Sequence, residues 1–405
     1  MQTPAVPTHL EPTLRVPTRS VVAMLVAVGL QSMVWGALAP VLPLYVLLLG
    51  ADPAQWGLIA SSGGLVMIFT EPAWGWLADR VGLRDPYRAA QVGTALSIWL
   101  LFLWPGMILV VLSQLVNGVL GPANGVIGRG YLIRAYSRSH QMLGLSVQMI
   151  VGSVCSAIGS TLGGRLYQTL GADAVFLFMA VAATLCALAT LLPSEPPPFP
   201  EEPRAPADLP ADSPGILSGP LAVLGVIAIM QFFAQRLVRS FFVIIVRDRA
   251  GLDPAAAGLL LGLFGLANVA FLLLFNRFGR RLSLSLRIVV GLIIGVLAML
   301  LYAVSRSFSM YLVAVVVDAL GWALSNPARI ILVGRLCRPS QYGRALGLHG
   351  AFENVGLFLG PLLGGLLWGL IGPVGALQSS AAALAIAAGL ALKLRRQPQP
   401  GVSSA

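Results

Sequence analysis

Charged residues are scarce in this sequence, and lysine is almost absent. Of its 405 residues, 10% are Asp, Glu, Lys or Arg and 57% are hydrophobic, whereas globular proteins carry roughly 25% charged residues. This deficit predicts an integral membrane protein and excludes an ordinary soluble domain. The only lysine, Lys393, lies near the C-terminal end. Because a P-loop needs its own lysine beside the nucleotide phosphates, we exclude an ATP-driven pump within this chain.

The sequence also has few residues of the kinds that hold metals or form catalytic groups. Its three cysteines, Cys155, Cys186 and Cys337, lie singly in or near apolar segments and predict neither a disulfide framework nor a zinc site. The three histidines are scattered, and neither H-E-x-x-H nor G-x-S-x-G occurs. We therefore predict no enzyme, no metal and no cofactor apart from a proton gradient.

The formal net charge of +11 does not indicate a nucleic-acid partner. The arginines lie at the ends of apolar runs instead of along one soluble face, and the topology of a membrane protein explains that placement. The expected partners are the lipid bilayer and a small-molecule substrate, with neither nucleic acid nor ATP, and the expected state is a monomer.

Long apolar runs succeed one another along the chain, and we predict twelve membrane-spanning helices. These spans cover residues 20–46, 54–79, 87–107, 109–134, 140–167, 172–192, 218–246, 254–276, 286–305, 309–335, 341–369 and 371–392. Nine prolines among several acids between Pro193 and Pro214 predict an extended linker. The expected parts are tails at 1–18 and 396–405, six-helix bundles at 19–192 and 218–395, and the linker at 193–217.

A short repeat relates the two bundles. Asp52-Pro53-Ala54, at the start of the second span, recurs as Asp253-Pro254-Ala255 at the start of the eighth. Asp as N-cap and Pro at the first helical position are typical of a helix start. The repeat predicts two six-helix halves with the same orientation.

A stripe of small residues in the eleventh span corresponds to a similar stripe, Gly159–Gly164, in the fifth. Small side chains let membrane helices pack closely, and a proline kinks its helix. The predicted helix-packing residues of the eleventh span are Gly356, Gly360, Pro361 and Gly364.

The boundary between the second and third spans combines several special residues. A glycine before the boundary allows close helix approach, a second glycine can adopt a positive φ in a tight turn, and arginines mark a cytoplasmic loop. An aspartate there can pair with an arginine or cap a helix. On charge alone, a short basic loop is an equal alternative. The residues concerned are Gly75, Asp79, Arg80, Gly82 and Arg84.

This stretch resembles the loop between helices 2 and 3 of the major facilitator superfamily of secondary transporters, whose pattern is G-x-L-A-D-R-x-G-R-K. Leu83 and Arg84 stand where the family usually has two basic residues. The resemblance covers nearly all of residues 19–395 and implies an all-α membrane fold, with twelve transmembrane helices in two parallel six-helix repeats around a central cavity. The matching residues are Gly75, Leu77, Ala78, Asp79, Arg80 and Gly82.

The resemblance also implies a cytoplasmic gate, which Asp79 would hold shut by meeting the start of the eleventh span near Pro339-Ser340. Most loop arginines fall on one side of the predicted spans, and the positive-inside rule makes that side cytoplasmic. We therefore expect a multi-pass protein of the cell membrane with both termini and the linker in the cytoplasm.

Ionisable residues inside a bilayer are candidates for function because burying them is unfavourable. Asp318 lies well inside the tenth span, and Arg236 and Arg239 lie three apart on one face of the seventh at a similar depth. Spans 1, 4, 7 and 10 line the cavity in this superfamily. Our hypothesis is that Asp318 pairs with Arg236 or Arg239 until protonation or an anionic substrate releases it. The alternative is a static ion pair that only orients two helices.

Two glutamates add to the candidates for proton or charge coupling. Glu353 lies near the middle of the eleventh span, followed by Asn354. Glu71 lies about two turns inside Asp79. For Glu71 we favour a structural partnership with Arg129 in the fourth span over proton carriage.

Uncharged polar and aromatic residues in the spans are candidates for the few polar contacts of a mostly apolar substrate pocket. Each is equally compatible with an interhelical hydrogen bond. Together with Arg236 and Arg239, the cavity candidates are Gln31, Trp35, Gln114, Asn117, Gln148, Gln231, Asn268, Trp322 and Asn326.

Three departures from the drug-antiporter pattern of the family weaken a proton-antiport interpretation. Gln114 stands where the family often has an arginine in the fourth span. In the fifth span, Ser160 replaces a proline and Cys155 replaces a glycine. Asp318 or Glu353 would have to take over the coupling role.

We therefore expect a secondary transporter that works by alternating access. Export of an amphiphilic, drug-like compound is the first hypothesis, with or without exchange for protons. Movement of a small organic anion or of a lipid-like substrate is the second. A binding or assembly protein that uses the same fold without transport is the alternative from another class, since fold does not dictate function.

Overall fold

The computed structural model describes residues 14–137, 140–197, 219–278, 282–337 and 342–396. In these ranges every regular element is a helix, and one isolated bridge pairs Leu14 with Tyr136. The predicted all-α class is confirmed for this part of the chain. Most of the predicted linker lies outside the described residues, as do Pro339 and Ser340 of the predicted gate contact.

The helices follow the order of the predicted apolar runs. They are α1 (Thr18–Leu48), α2 (Pro53–Val81), α3 (Arg84–Leu103), α4 (Met107–Leu120), a π-helix (Asn124–Gly128), α5 (Arg129–Ala135), α6 (Gln141–Leu170), α7 (Ala172–Ala189), α8 (Pro220–Ala250), α9 (Pro254–Phe278), α10 (Leu284–Val304), α11 (Phe308–Leu336) and α12 (Tyr342–Arg396). Nine helical stretches of the described chain are long and apolar enough to cross a membrane, and α4, the π-helix and α5 together form one of them.

The repeated Asp-Pro pairs begin helices, as predicted. Asp52 caps α2 by accepting a hydrogen bond from the backbone N–H of Gln55 at 2.8 Å, and the Gln55 side chain accepts from the N–H of Asp52 in return. Asp253 caps α9 by accepting from the N–H of Ala256 at 2.7 Å. Each carboxylate satisfies an N–H group that has no partner within its own helix.

The eleventh and twelfth predicted spans form one 55-residue element, α12. Gly372, with φ 72° and ψ 177°, is the non-helical residue that divides it, and Pro373 follows directly. Glycine adopts this positive φ without a steric penalty. The predicted boundary near residue 370 is therefore a sharp break without a polar loop.

The third span begins at Arg84, three residues before its predicted start. The carboxylate of Glu195 accepts hydrogen bonds from the backbone N–H of Leu83 at 2.8 Å and of Arg84 at 2.9 Å. A cap from a residue this distant in sequence extends α3 into the predicted loop, which local sequence patterns do not reveal.

The same pattern of helix neighbours appears on both sides of the linker. Before it, α1 packs on α6 and α7, α2 on α4, and α3 on α4 and α7. After it, α8 and α10 pack on α12, α9 on α11, and α10 on α11. Helices α6 and α9 join the two sets, and so do α2 and α12.

Glycines bring the two sets into backbone contact at the end where α2 and α9 begin, which we name the sealed end. A Cβ added to Gly57 would overlap the carbonyl oxygen of Pro361, and one added to Gly258 would overlap that of Ser160. The helices can approach this closely because these positions carry no side chain.

Two side-chain hydrogen bonds also cross between the sets near the sealed end. Trp56 donates its indole N–H to the carbonyl oxygen of Ser240 at 2.8 Å. Gln168 donates to the second carboxylate oxygen of Asp253 at 2.9 Å, so Asp253 both caps α9 and binds α6.

The glycine stripe of α12 lies against α8. A Cβ on Gly356 would come within 2.6 Å of the Ile229 carbonyl oxygen, and one on Gly360 within 2.7 Å of the Arg236 Cβ. Gly364 lies beside Leu237 in the same way. Pro361 is accommodated inside the helix.

Candidate functional site

A buried arginine that the sequence analysis did not select organises the polar interior. Arg329, on α11, is fully buried and donates hydrogen bonds through all three guanidinium nitrogens. We name this group the Arg329 cluster. Its partners are Glu353 at 2.6 Å, His349 at 2.9 Å, Asn326 at 2.8 Å and Gln231 at 2.5 Å.

The ion pair between Arg329 and Glu353 is buried unequally. The Arg329 side chain is 0% exposed and that of Glu353 is 22% exposed. Arg329 donates to Nε2 of His349, so this ring nitrogen carries no proton and the imidazole is neutral. Glu353 thus supplies the negative charge that balances Arg329, and it is also the member of the pair that solvent can reach.

Helices from both sides of the linker meet at a second polar contact. Asn354, directly after Glu353, donates to the carboxylate of Glu71 on α2 at 2.5 Å. The favoured partnership of Glu71 with Arg129 is wrong: within the described residues, these two side chains form no ion pair closer than 4.0 Å. The reason is that α2 packs on α12 at this level, which places Asn354 beside Glu71.

Asp318 is almost completely buried among α8, α10 and α11. Its carboxylate accepts hydrogen bonds from Gln235 at 2.5 Å and from the Tyr302 hydroxyl at 3.2 Å. The hypothesised direct pair with Arg236 or Arg239 does not form within 4.0 Å in the described chain, although Arg239 lines the same small cavity as Asp318. Neutral donors on two neighbouring helices take the positions that the hypothesis gave to an arginine.

Arg236 and Arg239, both on α8, have different surroundings. The guanidinium of Arg239 lies 3.8 Å from the centre of the Phe264 ring, and Arg239 lines a small cavity together with Asp318 and Tyr302. Arg236 is exposed and lies where α8 contacts Gly360. Arg236 and Arg239 therefore have different contacts although they lie on one face of the helix.

The predicted cavity residues are spread over six helices. Gln31 and Trp35 lie on α1, Gln114 and Asn117 on α4, Gln148 on α6, Gln231 on α8, Asn268 on α9, and Trp322 and Asn326 on α11. Of these nine, Gln231 and Asn326 contact Arg329 directly. Trp322 packs edge-on against Phe232, with ring centres 5.2 Å apart.

The predicted gate residues lie at the end of the bundle opposite the sealed end. The Asp79 side chain is 79% exposed and forms an ion pair with Arg134 on α5, at 3.9 Å. Arg80 lies over the exposed Trp76 ring, and Gly82 adopts φ 93° at the end of α2. Gly75 and Arg84 belong to α2 and α3. The predicted contact of Asp79 with Pro339-Ser340 involves residues outside the described ranges.

Comparison with known families identifies the chain. The family model described as Major Facilitator Superfamily matches residues 24–245 and 224–405. The chain belongs to the Major Facilitator Superfamily. Membership makes it a multi-pass membrane transporter and not an enzyme, as the sequence analysis expected.

Curated relatives within the superfamily match part of the chain. Two carry the name "Putative multidrug resistance protein MdtD". The one from Citrobacter koseri is 30% identical over 152 residues, which is 37% of this chain and 32% of the relative. The one from Salmonella paratyphi B is 27% identical over 170 residues, 42% of this chain and 36% of the relative. The chain thus spans about a third of the length of these curated relatives.

Solved structures of transporters match almost the whole chain. A bacterial homologue of the human lysosomal transporter Spinster, in an inward-facing and unoccupied conformation, has a TM-score of 0.78 at 15% identity, covering 95% of this chain and 99% of that one. The human organic anion transporter MFSD10 has a TM-score of 0.68 at 19% identity, covering 93% and 100%. These similarities show the fold.

The sequence contained a signal for Arg329 that the sequence analysis did not use. Arg329 lies within the predicted tenth span, three residues after Asn326 and so on the same helix face. Like Asp318, Arg329 is an ionisable residue inside an apolar span and is a candidate for function for the same reason. Its partners on α8 and α12 cannot be read from spacing, because they come from other helices.

Proposed function

We propose that this superfamily member is a twelve-helix secondary transporter that moves its substrate by alternating access between two six-helix halves. Residues 19–192 and 218–395 form the halves, and the residue 193–217 segment connects them. The matching helix-neighbour patterns before and after the linker support this division. Dividing α12 at Gly372 and adding α2 and α3 to the nine apolar stretches gives twelve spans.

The sealed end is the outer end of the transporter, and both termini are cytoplasmic. The observation that carries this proposal is the asymmetry between the ends: backbone contacts at Gly57 and Gly258 close one end, while Asp79 is exposed at the other. Arginines concentrate at the Asp79 end, which the positive-inside rule places in the cytoplasm. We therefore assign an inward-facing state to this structure, the conformation of the Spinster homologue that shares its fold.

Rocking of the halves would separate α2 from α12 and α6 from α9 at the outer end and close the cytoplasmic end. In that movement Asp79 would form the cytoplasmic gate. The hydrogen bonds of Trp56 and Gln168 would break, as would the Glu71–Asn354 contact if the movement extends that deep.

The first candidate activity is export of an amphiphilic, drug-like compound. The name of the curated relatives, multidrug resistance protein, supports this choice. A small organic anion is the second candidate, and the unpaired Arg236 favours it. Flux of either class would exclude the alternative of a binding or assembly protein without transport.

Proton coupling is centred on Glu353 in this proposal. Glu353 is the partly exposed partner of a buried arginine, so adding a proton to its carboxylate would leave the Arg329 charge unbalanced. The energy of the Arg329 cluster would then differ between protonated and deprotonated states, which is what coupling requires. Asp318 is a second candidate, held more deeply by Gln235 and Tyr302.

Transport of a fluorescent amphiphilic dye into proteoliposomes tests the function. We expect dye uptake with the native chain, and loss of uptake in Gly258→Leu because the new side chain would prevent closure of α6 on α9. Gly389→Leu is the matched control, since a Cβ at Gly389 meets open space. Absence of flux for every dye and ion tested, with folded native protein in the vesicles, would contradict the proposal.

The gate is tested by Asp79→Ala. We expect slower transport with normal amounts of protein in the membrane, because the side chain is exposed in this state and its removal costs little stability. Asp85→Ala, at a side chain that is 71% exposed in the same region, serves as the control and should transport normally. Native transport rates in Asp79→Ala would refute the gate.

A further inference from the structure

We propose that Arg236 is the anchor for an amphiphilic organic anion, so that the substrate carries a carboxylate or sulfonate on an apolar or aromatic body. This inference rests on the proposed transport function and specifies its substrate class. It follows from the charges inside the bundle, the position of Arg236 and the side chains next to it.

The acidic side chains in the interior of the bundle already have partners. Glu353 is paired with Arg329, Glu71 accepts from Asn354, and Asp318 accepts from Gln235 and Tyr302. A cationic substrate would have to compete with these contacts for a carboxylate. Because these hydrogen bonds occupy the interior carboxylates, they disfavour a cation as the substrate.

The buried and central arginines are balanced in the same way, with one exception. Arg329 is held by its cluster, and Arg239 lies over Phe264 and lines a small cavity together with Asp318. Arg236 forms no hydrogen bond or ion pair with any residue of the described ranges, and Arg239, three residues further along the same helix, carries a charge of the same sign. An uncompensated cation in a membrane interior favours binding of an anion.

Arg236 lies midway along α8, which runs from Pro220 to Ala250. Ser240, one turn closer to the sealed end on the same face, accepts the hydrogen bond of Trp56 from the other half. The Arg236 Cβ lies against Gly360 in the glycine stripe. Arg236 therefore lies one turn from the Trp56–Ser240 contact that joins the two halves, and its side chain is exposed.

Aromatic side chains lie next to this position. Phe232 is one turn from Arg236 toward the opposite end and contacts Trp322 edge-on at 5.2 Å. Both rings are partly exposed. Arginine offers a planar set of donors that matches a carboxylate or sulfonate, and the rings offer an apolar surface for the body of the ligand. Together they fit an amphiphilic anion.

Two compounds of similar shape and opposite charge test the inference: 1-naphthylacetate and 2-(1-naphthyl)ethylammonium. Each is added to the purified native chain and to the Arg236→Gln variant, and the melting temperature is followed against concentration, since a ligand of the folded state raises it. We expect 1-naphthylacetate to stabilise the native chain and to bind Arg236→Gln about tenfold or more weakly, the factor that corresponds to losing ~1.4 kcal/mol of binding free energy.

Two further variants separate binding from folding. Arg306→Gln removes an exposed arginine outside the bundle and should bind 1-naphthylacetate like the native chain. Arg236→Lys keeps the charge and should retain the preference for the anion with reduced affinity, because lysine lacks the planar donor set. If Arg236→Gln does not fold, the ratio of the affinities for 1-naphthylacetate and for 2-(1-naphthyl)ethylammonium is compared between the native chain and Arg236→Lys. A preference for the anion in both proteins supports the anchor, and a preference for the cation overturns it.

The outcomes also distinguish this inference from the transport function. Stabilisation by the ammonium compound alone, equal binding of the anion by Arg236→Gln, or no stabilisation by the anion would each overturn the anchor. Dye flux that depends on Gly258 would still support transport in all three cases. If anion binding is lost in Arg236→Gln and no compound is transported, the binding site is supported and the transport function is rejected.

Discussion

The polar interiors of the two halves are of different kinds. In the N-terminal half, Asn124 accepts hydrogen bonds from Gln91 at 2.6 Å and from the Tyr87 hydroxyl at 3.0 Å, so the network is neutral. In the C-terminal half, the network is built on the Arg329–Glu353 ion pair. A neutral network fixes the geometry of its helices, whereas a charged one also changes its energy when a proton or an ion is added. The C-terminal half therefore holds the residues suited to energy coupling.

Two glutamines at nearly equivalent positions show the same contrast. Gln231, on α8, donates to Ser325 at 2.6 Å and accepts from Arg329. Gln31, on α1, is equally buried, but its side-chain nitrogen has no hydrogen-bond partner in the described chain. The repeat thus preserves a residue type while the structure gives it two different environments.

The largest expected effect comes from removing the centre of the charged network. Arg329→Met leaves the Glu353 carboxylate without its cation, which we expect to lower the free energy of unfolding by about 3–5 kcal/mol. Denaturation of the purified protein in detergent measures this change. Arg165→Met, at an exposed arginine of α6 in the N-terminal half, is the control and should stay within about 0.5 kcal/mol of the native chain. Equal losses of unfolding free energy in the two variants would contradict the proposed difference between the halves.

The second largest effect on stability is expected from removing the charge of the Glu353 carboxylate. Glu353→Gln keeps an oxygen acceptor for Arg329 but removes the negative charge, and we expect a loss of about 1.5–3 kcal/mol in stability. Glu71→Gln should cost less, because Glu71 accepts from a neutral amide. Transport measured from pH 5 to pH 8 provides the functional comparison: we expect its pH dependence to flatten in Glu353→Gln, and an unchanged profile would remove Glu353 from coupling.

The pair of glutamines gives the third comparison. Gln231→Met leaves an Arg329 donor unsatisfied, which we expect to cost about 1–3 kcal/mol. Gln31→Met removes a buried nitrogen that has no partner in the described chain, so its stability should be unchanged or slightly higher. Thermal unfolding of both variants under identical conditions measures the difference, and a larger loss in Gln31→Met would contradict the assignment.

The smallest effect concerns the boundary between the halves. Trp56→Phe keeps the ring but loses the hydrogen bond to Ser240, which should shift the population toward the outward-open state by about fivefold, equivalent to ~1 kcal/mol. Labelling of a cysteine placed at Ala255 by a water-soluble maleimide, after replacement of the native cysteines, reports the opening of the sealed end.

Trp99→Phe is the matched control for that shift. Trp99 donates to Thr184 at 2.8 Å, but both residues lie in the N-terminal half, so the lost bond does not cross between the halves. We expect its labelling rate to equal that of the native chain. An equal increase in both variants would mean that the effect is general destabilisation.

Prediction from sequence succeeded best where the determining interactions are local. Asp52 and Asp253 were assigned as helix caps from a two-residue pattern, because the groups they satisfy lie within three residues. It failed where the partner is distant. The cap that Glu195 provides to α3 and the contact between Glu71 and Asn354 join residues more than a hundred positions apart.

The amino-acid sequence by itself determined that this chain spans a membrane in helices and belongs to its superfamily. Scarce charge and long apolar runs leave helices as the way to pair the backbone groups in lipid, and Gly75–Gly82 carries the family pattern. Tertiary structure decided which ionisable groups are paired. Asp318 received Gln235 and Tyr302, Glu353 received Arg329, and Arg236 received no partner among the described residues. Pairing depends on which helices touch and at what height, and a linear pattern contains neither.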